Sequence, residues 1–405
     1  MIKVFFLKNY LLFKKGTLNL IKRLGLRKFL FNTPSQFISI KKWIEQNTDL
    51  DGVQYYHLDD SVIINEPPPV IVSSPVTKRF SKYYHRFTPE LFVAIIPDGR
   101  VMGESCNIII TPDYKVLADV SREFGAEGGK KIQDFSIFNS AKKMPLLKHI
   151  SGNIAVISTC GSANFHHWNY DILPRFQLLK DAGVFNEIDY FLLDYKGLSF
   201  QKAGIDELQI DEKKIINTHG KKDFYIQAEK LFIPSLTEEL GTINPRVVKF
   251  LRETFLHKDT LLPEKKTKLY ISRKNATSRR IINEHEVMEE IVSRGYYEFI
   301  PEEYTIFLTA AYFNSANAIV SVHGSGLSNL CFISEKTKVL DMLAPYHQDG
   351  YYWMLCNQQN ALYTALFAEG DHPPDDLDLV ITKNDSDLLI DIKKLRIALD
   401  FIERN

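Results

Sequence analysis

Residues 317–334, NAIVSVHGSGLSNLCFIS, decide the fold. Ala318 to Val322 is a short apolar, β-branched run of the kind that makes a strand covered on both faces. His323-Gly324-Ser325-Gly326 follows as a loop, and a helical pattern starts at Leu327. A buried strand that ends in a glycine loop and opens a helix is half of a βαβ unit, so the chain around it should alternate strand and helix.

The alternation is there on both sides. "KLYISR" reads as a strand, "NEHEVMEEIVSRG" as a helix, "YEFI" as a strand and "TIFLTAAYFNSA" as a helix; "KVLDML" is the strand that follows the glycine loop. A second block runs from "NIAVIS" through the helical "HHWNYDILPRFQLLKDAG", the strand "DYFLLDY", the helix "SFQKAGIDELQI" and two more strands to "KLFIPS". Between the blocks lies "SLTEELGTINPR", with Gly241 and Pro245 as breakers. The fold class expected is α/β, with two doubly wound, Rossmann-like domains facing a cleft. In such sheets ligands sit at the carboxyl ends of the strands.

Other stretches are appended to this frame. "ELFVAIIPDGRVMG" and "CNIIITPDYKVLADVS" are short β-rich runs broken by Pro-Asp-Gly and Pro-Asp turns, and read as a meander or hairpins. "SDLLIDIKKLRIALDFIERN" is a C-terminal helix with Ser386 as its cap and an apolar stripe of Leu388, Ile392, Leu395, Leu399 and Ile402. That stripe either docks on the body or forms a seam between copies. The expected division is a basic helical segment and linker (1–60), a first α/β domain with a β-rich start (61–245), a second α/β domain (246–370), and a loop with the terminal helix (371–405).

Composition narrows the function classes. The 405 residues carry 50 Lys and Arg against 50 Asp and Glu, so the whole molecule has no electrostatic bias toward nucleic acid. Cys106, Cys160, Cys331 and Cys356 form no CxxC pair and signal neither a zinc site nor a disulfide framework; they read as buried thiols in a reducing compartment. Residues 1–30 hold eight basic side chains and no acid, interleaved with short apolar runs too brief to cross a bilayer. This segment either lies on an anionic membrane surface or packs on the body with its lysines solvated.

Three clusters carry chemistry. Gly324 and Gly326 clear space for backbone approach at a helix start, where a phosphate is welcome, and Ser325 adds a hydroxyl. Arg273, Lys274, Arg279 and Arg280 stand within eight residues, just after a strand. Four cations so close either receive an anion, for which guanidinium forks are suited, or form a solvated basic loop. Asp341 on "KVLDM" either accepts from ribose hydroxyls or serves as a cap or a solvated loop acid. Asn283 and Glu286 read as a capping box. In "NFHHWNYDILPR", His167 and Asp171 are four apart on one helical face, with Arg175 beyond a kink or restart at Pro174. A carboxylate on one imidazole nitrogen frees the other as a base, and Trp168 beside it offers a platform for a sugar. Equally, His167 and Trp168 read as core packing. The Asp376/Asp378 and Asp385/Asp387 pairs lie in a Pro-rich loop and at a helix start, and no metal site is expected at either.

"NFHHWNYDILPRF", "LYISRKNATSRRIINEHE" and "IVSVHGSGLSNLCF" followed by "KTKVLDML" together resemble the bacterial capsular polysaccharide biosynthesis branch of glycosyltransferase family 61, over about residues 150–365. That family usually shows His-Gly-Ala-Gly where this chain has His323-Gly-Ser-Gly. The resemblance implies a GT-B fold, an inverting and metal-independent mechanism without a cofactor, and a nucleotide sugar, UDP-linked in the commonest case. It implies that the loop from His323 to Leu327 and Arg273 contact the diphosphate. The partners implied are a nucleotide-sugar donor and a glycan or lipid-linked glycan acceptor, with the enzyme cytoplasmic or peripheral at the inner face of the membrane. His167 oriented by Asp171 is the base expected from geometry. Two other readings stand beside it: a catalytically silent sugar-nucleotide-binding or glycan-binding subunit, and a pyruvyl-type transferase.

Overall fold

The computed structural model of the chain describes residues 33–404 apart from 73–77, 82, 126–127, 140–143, 239–241, 263, 265, 348 and 372–386. The basic segment 1–30, the Asp376/Asp378 pair, Asp385 and Ser386 lie outside the described residues.

The larger sheet has ten strands, six of which organise it. These are β1 (Leu91–Pro97), β2 (Arg100–Met102), β3 (Lys148–Val156), β4 (Tyr190–Leu193), β5 (Ile215–Asn217) and β6 (Tyr225–Pro234). The last four run parallel in the order β5-β4-β3-β6. Helix α1 (Leu173–Asp181) makes the crossover from β3 to β4, and α2 (Ser199–Glu207) that from β4 to β5. Beyond β6 the sheet turns antiparallel.

There the Pro97-Asp98-Gly99 signal does not make a hairpin. β1 and β2 both pair with β6 along one line. Asp98, at φ 55°, forms a bulge between them while its N–H still reaches Glu229 O and Ala228 N–H reaches Gly99 O. The second signal does give a hairpin: Ile108–Ile110 and Lys115–Leu117 pair antiparallel around Pro112-Asp113-Tyr114. Residues 33–60 also differ from the helical segment and linker read from sequence. Gln36–Ile38 pairs with Lys115–Leu117 and Gln54–Asp59 with β1, because three- and six-residue edge strands carry too little periodicity to announce themselves.

The second sheet is parallel throughout. Its strands are β7 (Lys268–Ile271), β8 (Tyr297–Phe299), β9 (Ala318–Val322), β10 (Lys338–Leu343) and β11 (Leu362–Phe367), in the order β8-β7-β9-β10-β11. Val70–Ile71, from the region assigned to the first domain, adds a sixth strand beside β11. Helix α3 (Pro245–Phe255) leads in, α4 (Glu284–Ser293) and α5 (Ile306–Ser315) are crossovers, and α6 (Tyr351–Gln358) joins β10 to β11. The connection after β9 is the 3₁₀ helix Ser325–Phe332, not the expected α-helix. Ser325, Gly326, Ser328 and Asn329 are poor helix formers, which favours the tighter turn.

In each sheet the chain leaves one strand to one side and later returns on the other. The switch points fall between β3 and β6 and between β7 and β9. A continuous core joins the two halves, running from Trp168 and Phe176 through Leu251 of α3 to Leu330, Phe332 and Trp353. Along this line the halves are packed against each other rather than parted by an open cleft. The C-terminal helix α7 (Ile392–Arg404) covers the second sheet with Leu395, Ala398, Leu399 and Ile402, so its stripe docks on the body. Its first turn is capped by Asp391, which accepts from Lys393 N and Lys394 N. Asn283 does not act in a capping box. Its amide donates to Glu286 Oε2 and to Ile390 O and accepts from Ile390 N, tying α4 to the approach of α7. Among the described residues no helix is long and apolar enough to cross a membrane.

Candidate active site

The segment after β3 builds the first half of the site. Asn164 Oδ1 caps a short helical turn, Phe165–His167, by accepting from His166 N and His167 N. The chain widens into a π-helix over Trp168–Ile172 and tightens again into α1. Pro174 is the local cause. It has no N–H to give the carbonyl four residues back, and Tyr170 O accepts the Thr237 hydroxyl at 2.6 Å instead. π-turns of this kind recur at functional sites.

The turn brings His167 Nδ1 to 2.6 Å from Asp171 Oδ2. Asp171 Oδ1 accepts from Arg122 Nη1 at 3.0 Å, and Arg122 Nη2 donates to Glu238 O at 2.5 Å. Burial pushes the Asp171 carboxyl upward, but the His167 hydrogen bond and the Arg122 charge outweigh it and hold the group below the usual carboxylate range. With Nδ1 donating to that carboxylate, Nε2 is left as the accepting nitrogen. The His167 side chain keeps 28% of its surface exposed, against 2% for Asp171. Gly161, at φ 91°, makes room for the ring: a Cβ there would lie 2.6 Å from His167 Cδ2.

The neighbouring imidazole is built differently. His166 stacks on Tyr170, its Nδ1 is 3.0 Å from Ser328 Oγ, and its Nε2 is 3.7 Å from Glu238 Oε2. Burial raises the Glu238 carboxyl, and Asp171 adds to that, while His166 opposes it. Burial lowers His166, but Glu238 wins and the net direction is up. Tyr170 donates its hydroxyl to Ser328 O at 2.6 Å. The segment after β3 therefore touches the segment after β9, and the two switch points meet.

Trp168 and Arg175, read as cleft groups, have other places. Trp168 is fully buried beside Phe200 and Tyr195. Arg175 is also buried. Its Nη1 donates to Ile157 O and Ser158 O and its Nη2 to Pro234 O, which clamps the ends of β3 and β6 together. Neither side chain reaches solvent, so neither offers itself to an acceptor.

The second half lies at the carboxyl ends of β7 and β9. Arg273 donates from Nη2 to Ser278 O at 2.9 Å and from Nε to Arg279 O at 3.3 Å, folding its own loop around the guanidinium. That guanidinium lies over Gly324, where a Cβ would sit 1.9 Å from Nη1. Gly324 is extended (φ 172°), so this glycine is needed for the arginine's approach and not for its backbone angle. Gly326 packs close to Ile271. A small depression of about 40 Å³ opens here, lined by Ser272, Arg273, Asn275, Ser325 and Gly326.

The other expected residues divide. Arg279 takes a left-handed conformation (φ 55°), uncommon for a non-glycine residue, and its buried Nε has no hydrogen-bond partner among the described residues. Arg280 is paired with Asp387, and Lys274 lies 3.9 Å from Glu303 on the surface. Leu327 is core, with its N–H spent on Gly324 O. His323 is 3% exposed and its Nδ1 is 2.8 Å from Asp341 Oδ2, which also accepts the Tyr363 hydroxyl. Asp341 is fully buried within β10, so it holds His323 and does not face a ribose.

Sequence reasoning missed Arg122, His166 and Glu238. Glu238 lies in the loop that leaves the carboxyl end of β6 at Pro234, a position the parallel-sheet rule marks. Arg122 lies outside the alternating block and carries no such signal.

The class that fold and site define is an α/β protein whose two switch points meet at one seam, an acid–base pair on one side and arginines with a glycine loop on the other. Residues 165–340, less than half of the chain, match the model of the family Glycosyltransferase 61, a stretch that holds most of both halves of the site, with Arg122, Gly161, Asn164 and Asp341 outside it. The match supports a glycosyltransferase, an enzyme class that uses a nucleotide-sugar donor and a glycan acceptor. No curated protein matches the chain.

Proposed function

We propose that the protein is an inverting glycosyltransferase of the GT-B type that moves a sugar from a nucleoside-diphosphate donor to a surface-glycan acceptor. The observation that carries this reading is the Arg122–Asp171–His167 chain set against the glycine loop through His166, Tyr170 and Ser328. His167 Nε2 takes the acceptor hydroxyl proton as that oxygen bonds to the anomeric carbon. The bond from that carbon to the diphosphate breaks with its electron pair, and Asp171 stabilises the imidazolium. Arg273, beside Gly324, and Arg279, whose buried Nε has no hydrogen-bond partner among the described residues, supply cations for the leaving diphosphate.

An acceptor groove is supported on the far side of Arg122. A groove of about 590 Å³ there is lined by Arg86, Phe92, Asp119, Arg122, Phe135 and Glu238, a mix of aromatic and polar groups suited to a glycan. Lipid-linked acceptors would give residues 1–30 a reason to be basic.

The test is a panel of radiolabelled nucleotide sugars with glycan acceptors, run on wild type and His167→Ala. Transfer by the wild type and its loss in His167→Ala is the expected result. A His167→Ala variant with full turnover would remove the base assignment. Turnover only with a phosphoenol donor would replace the reading with a pyruvyl-type transferase.

A further inference from the structure

Beyond the donor site, the geometry points to a divalent metal site made by His323, His347 and Asp349. The argument starts from the register of the second sheet. β9 and β10 are parallel neighbours, Ser321 opposite Asp341, so the residues that follow them emerge side by side at the carboxyl edge. His323 comes directly after β9, and His347 and Asp349 lie in the loop between β10 and α6. One donor atom from each of the three lies within 4.8 Å of the others.

The cluster is built as metal sites are built, with the first imidazole fixed from behind. His323 Nδ1 is held at 2.8 Å by Asp341, which is buried and braced in turn by the Tyr363 hydroxyl at 2.9 Å. A carboxylate behind a histidine sets its tautomer and leaves Nε2 as the ligand nitrogen, the arrangement common around metal-bound imidazoles. The His347 ring lies 4.6 Å from the His323 ring. Asp349 is positioned from its own side, where Oδ1 accepts Tyr351 N–H at 2.8 Å at the start of α6. Two imidazoles and one carboxylate suit a first-row divalent ion such as Mn²⁺ or Zn²⁺ and leave coordination positions open. The metal-free expectation rested on the aspartate pairs and on the family resemblance, neither of which weighed this cluster; Asp387 is occupied by Arg280.

The open positions have an occupant if the glycosyltransferase reading holds, since the loop that would take the diphosphate begins at Gly324, next to His323. That use rests on the proposed function, but the ion site does not: a metal can bind with no nucleotide present. The two are separated by measuring them separately.

The experiment uses the full chain, freed of metal with EDTA and desalted, and titrated first with Mn²⁺ followed by the free-ion EPR signal and then with Zn²⁺ by calorimetry. The expected result is one ion per chain. His347→Ala and Asp349→Asn should each weaken binding at least tenfold, and Asp341→Asn by ~10–100-fold through the second sphere. All variants are checked by circular dichroism, so a misfolded one is set aside and the remaining ligand variant decides. Arg273→Ala should keep the ion and lose UDP. Absence of stoichiometric binding by both ions overturns the proposal. So does binding untouched by His347→Ala and Asp349→Asn but lost in His219→Ala, which would put the ion in the more exposed Glu104, Asp194 and His219 group instead.

Discussion

The two switch points solve different problems with the same topology. At the first, between β3 and β6, the charged groups are tied to one another and to the frame: Arg175 to three carbonyls, Asp171 to His167 and Arg122, and Arg122 to Asp171 and Glu238 O, while Arg175 Nε and Glu238 Oε1 are buried with no hydrogen-bond partner among the described residues. One imidazole edge is left to face solvent. At the second, between β7 and β9, the cations stand in a loop of strained and extended backbone that borders a small depression at Arg273, Ser325 and Gly326. The difference teaches where chemistry and where binding should be sought. A network centred on a buried carboxylate sets the protonation of one group, whereas cations beside a glycine loop leave room for an anion.

The sharpest way to break this comparison is at Asp171. Asp171→Asn keeps the size of the side chain but loses the charge that fixes the His167 tautomer and stabilises its protonated form. The drop expected in kcat is ~10³–10⁴-fold with little change in KM, by the scale known for a buried carboxylate behind a catalytic histidine. Steady-state kinetics at saturating donor and acceptor check it; an unchanged kcat would make the pair structural.

The second site should respond in binding rather than in rate. Gly324→Ala places a methyl carbon against the Arg273 guanidinium and should weaken nucleoside-diphosphate affinity by ~10–100-fold, the worth of one or two charge-assisted hydrogen bonds. Arg273→Ala should do the same, and the double variant should be no worse than either alone. Additive losses in calorimetric titration would show that the glycine acts independently of the arginine.

Arg175 sharpens the contrast because it lies in the chemical motif yet serves the frame. Arg175→Met leaves three buried carbonyls without donors and should lower stability by about 3 kcal/mol, read as a shift in the urea midpoint. Chromatography of that variant should show a folded protein with its nucleotide affinity intact. A lost affinity without lost stability would return Arg175 to the ligand site.

The smallest effect is in pH. Asp171 is depressed in the folded protein, so its stabilisation is present above the unfolded value of about 3.9 and is lost as pH falls through the folded one. Glu238 runs the other way. Its raised folded value means that the native state holds a proton the unfolded chain has released, so stability declines as pH rises above about 4.3 toward that raised value. Glu238→Gln should flatten that decline, and Asp171→Asn should flatten the acid limb. Urea unfolding from pH 3 to 7 reads both, and identical profiles in the two variants would contradict the opposite assignments.

How much of this was legible beforehand follows from the range of each interaction. The βαβ alternation and the docked stripe of α7 are local patterns, and the strands at 318–322 and 268–271 lie where the periodicity put them. His167 with Asp171 was legible because four residues along a helix is a neighbour distance, and the π-turn did not disturb it. Arg122 reaches Asp171 across 49 residues and Asp387 reaches Arg280 across 107, and no spacing rule spans such gaps. Trp168 and Arg175 were misplaced for a related reason: a residue type suggests what it could touch, while burial decides what it does touch.

The most direct measurement is thermal unfolding of wild type and Arg273→Ala against a panel of nucleoside diphosphates. A ligand at ~100 times its dissociation constant stabilises a fold by roughly 2.7 kcal/mol, a clear shift in Tm. The account predicts a shift with at least one nucleoside diphosphate in the wild type and none with it in Arg273→Ala. Equal shifts in both proteins, or none in either, would contradict the placement of the donor at the β7–β9 switch point.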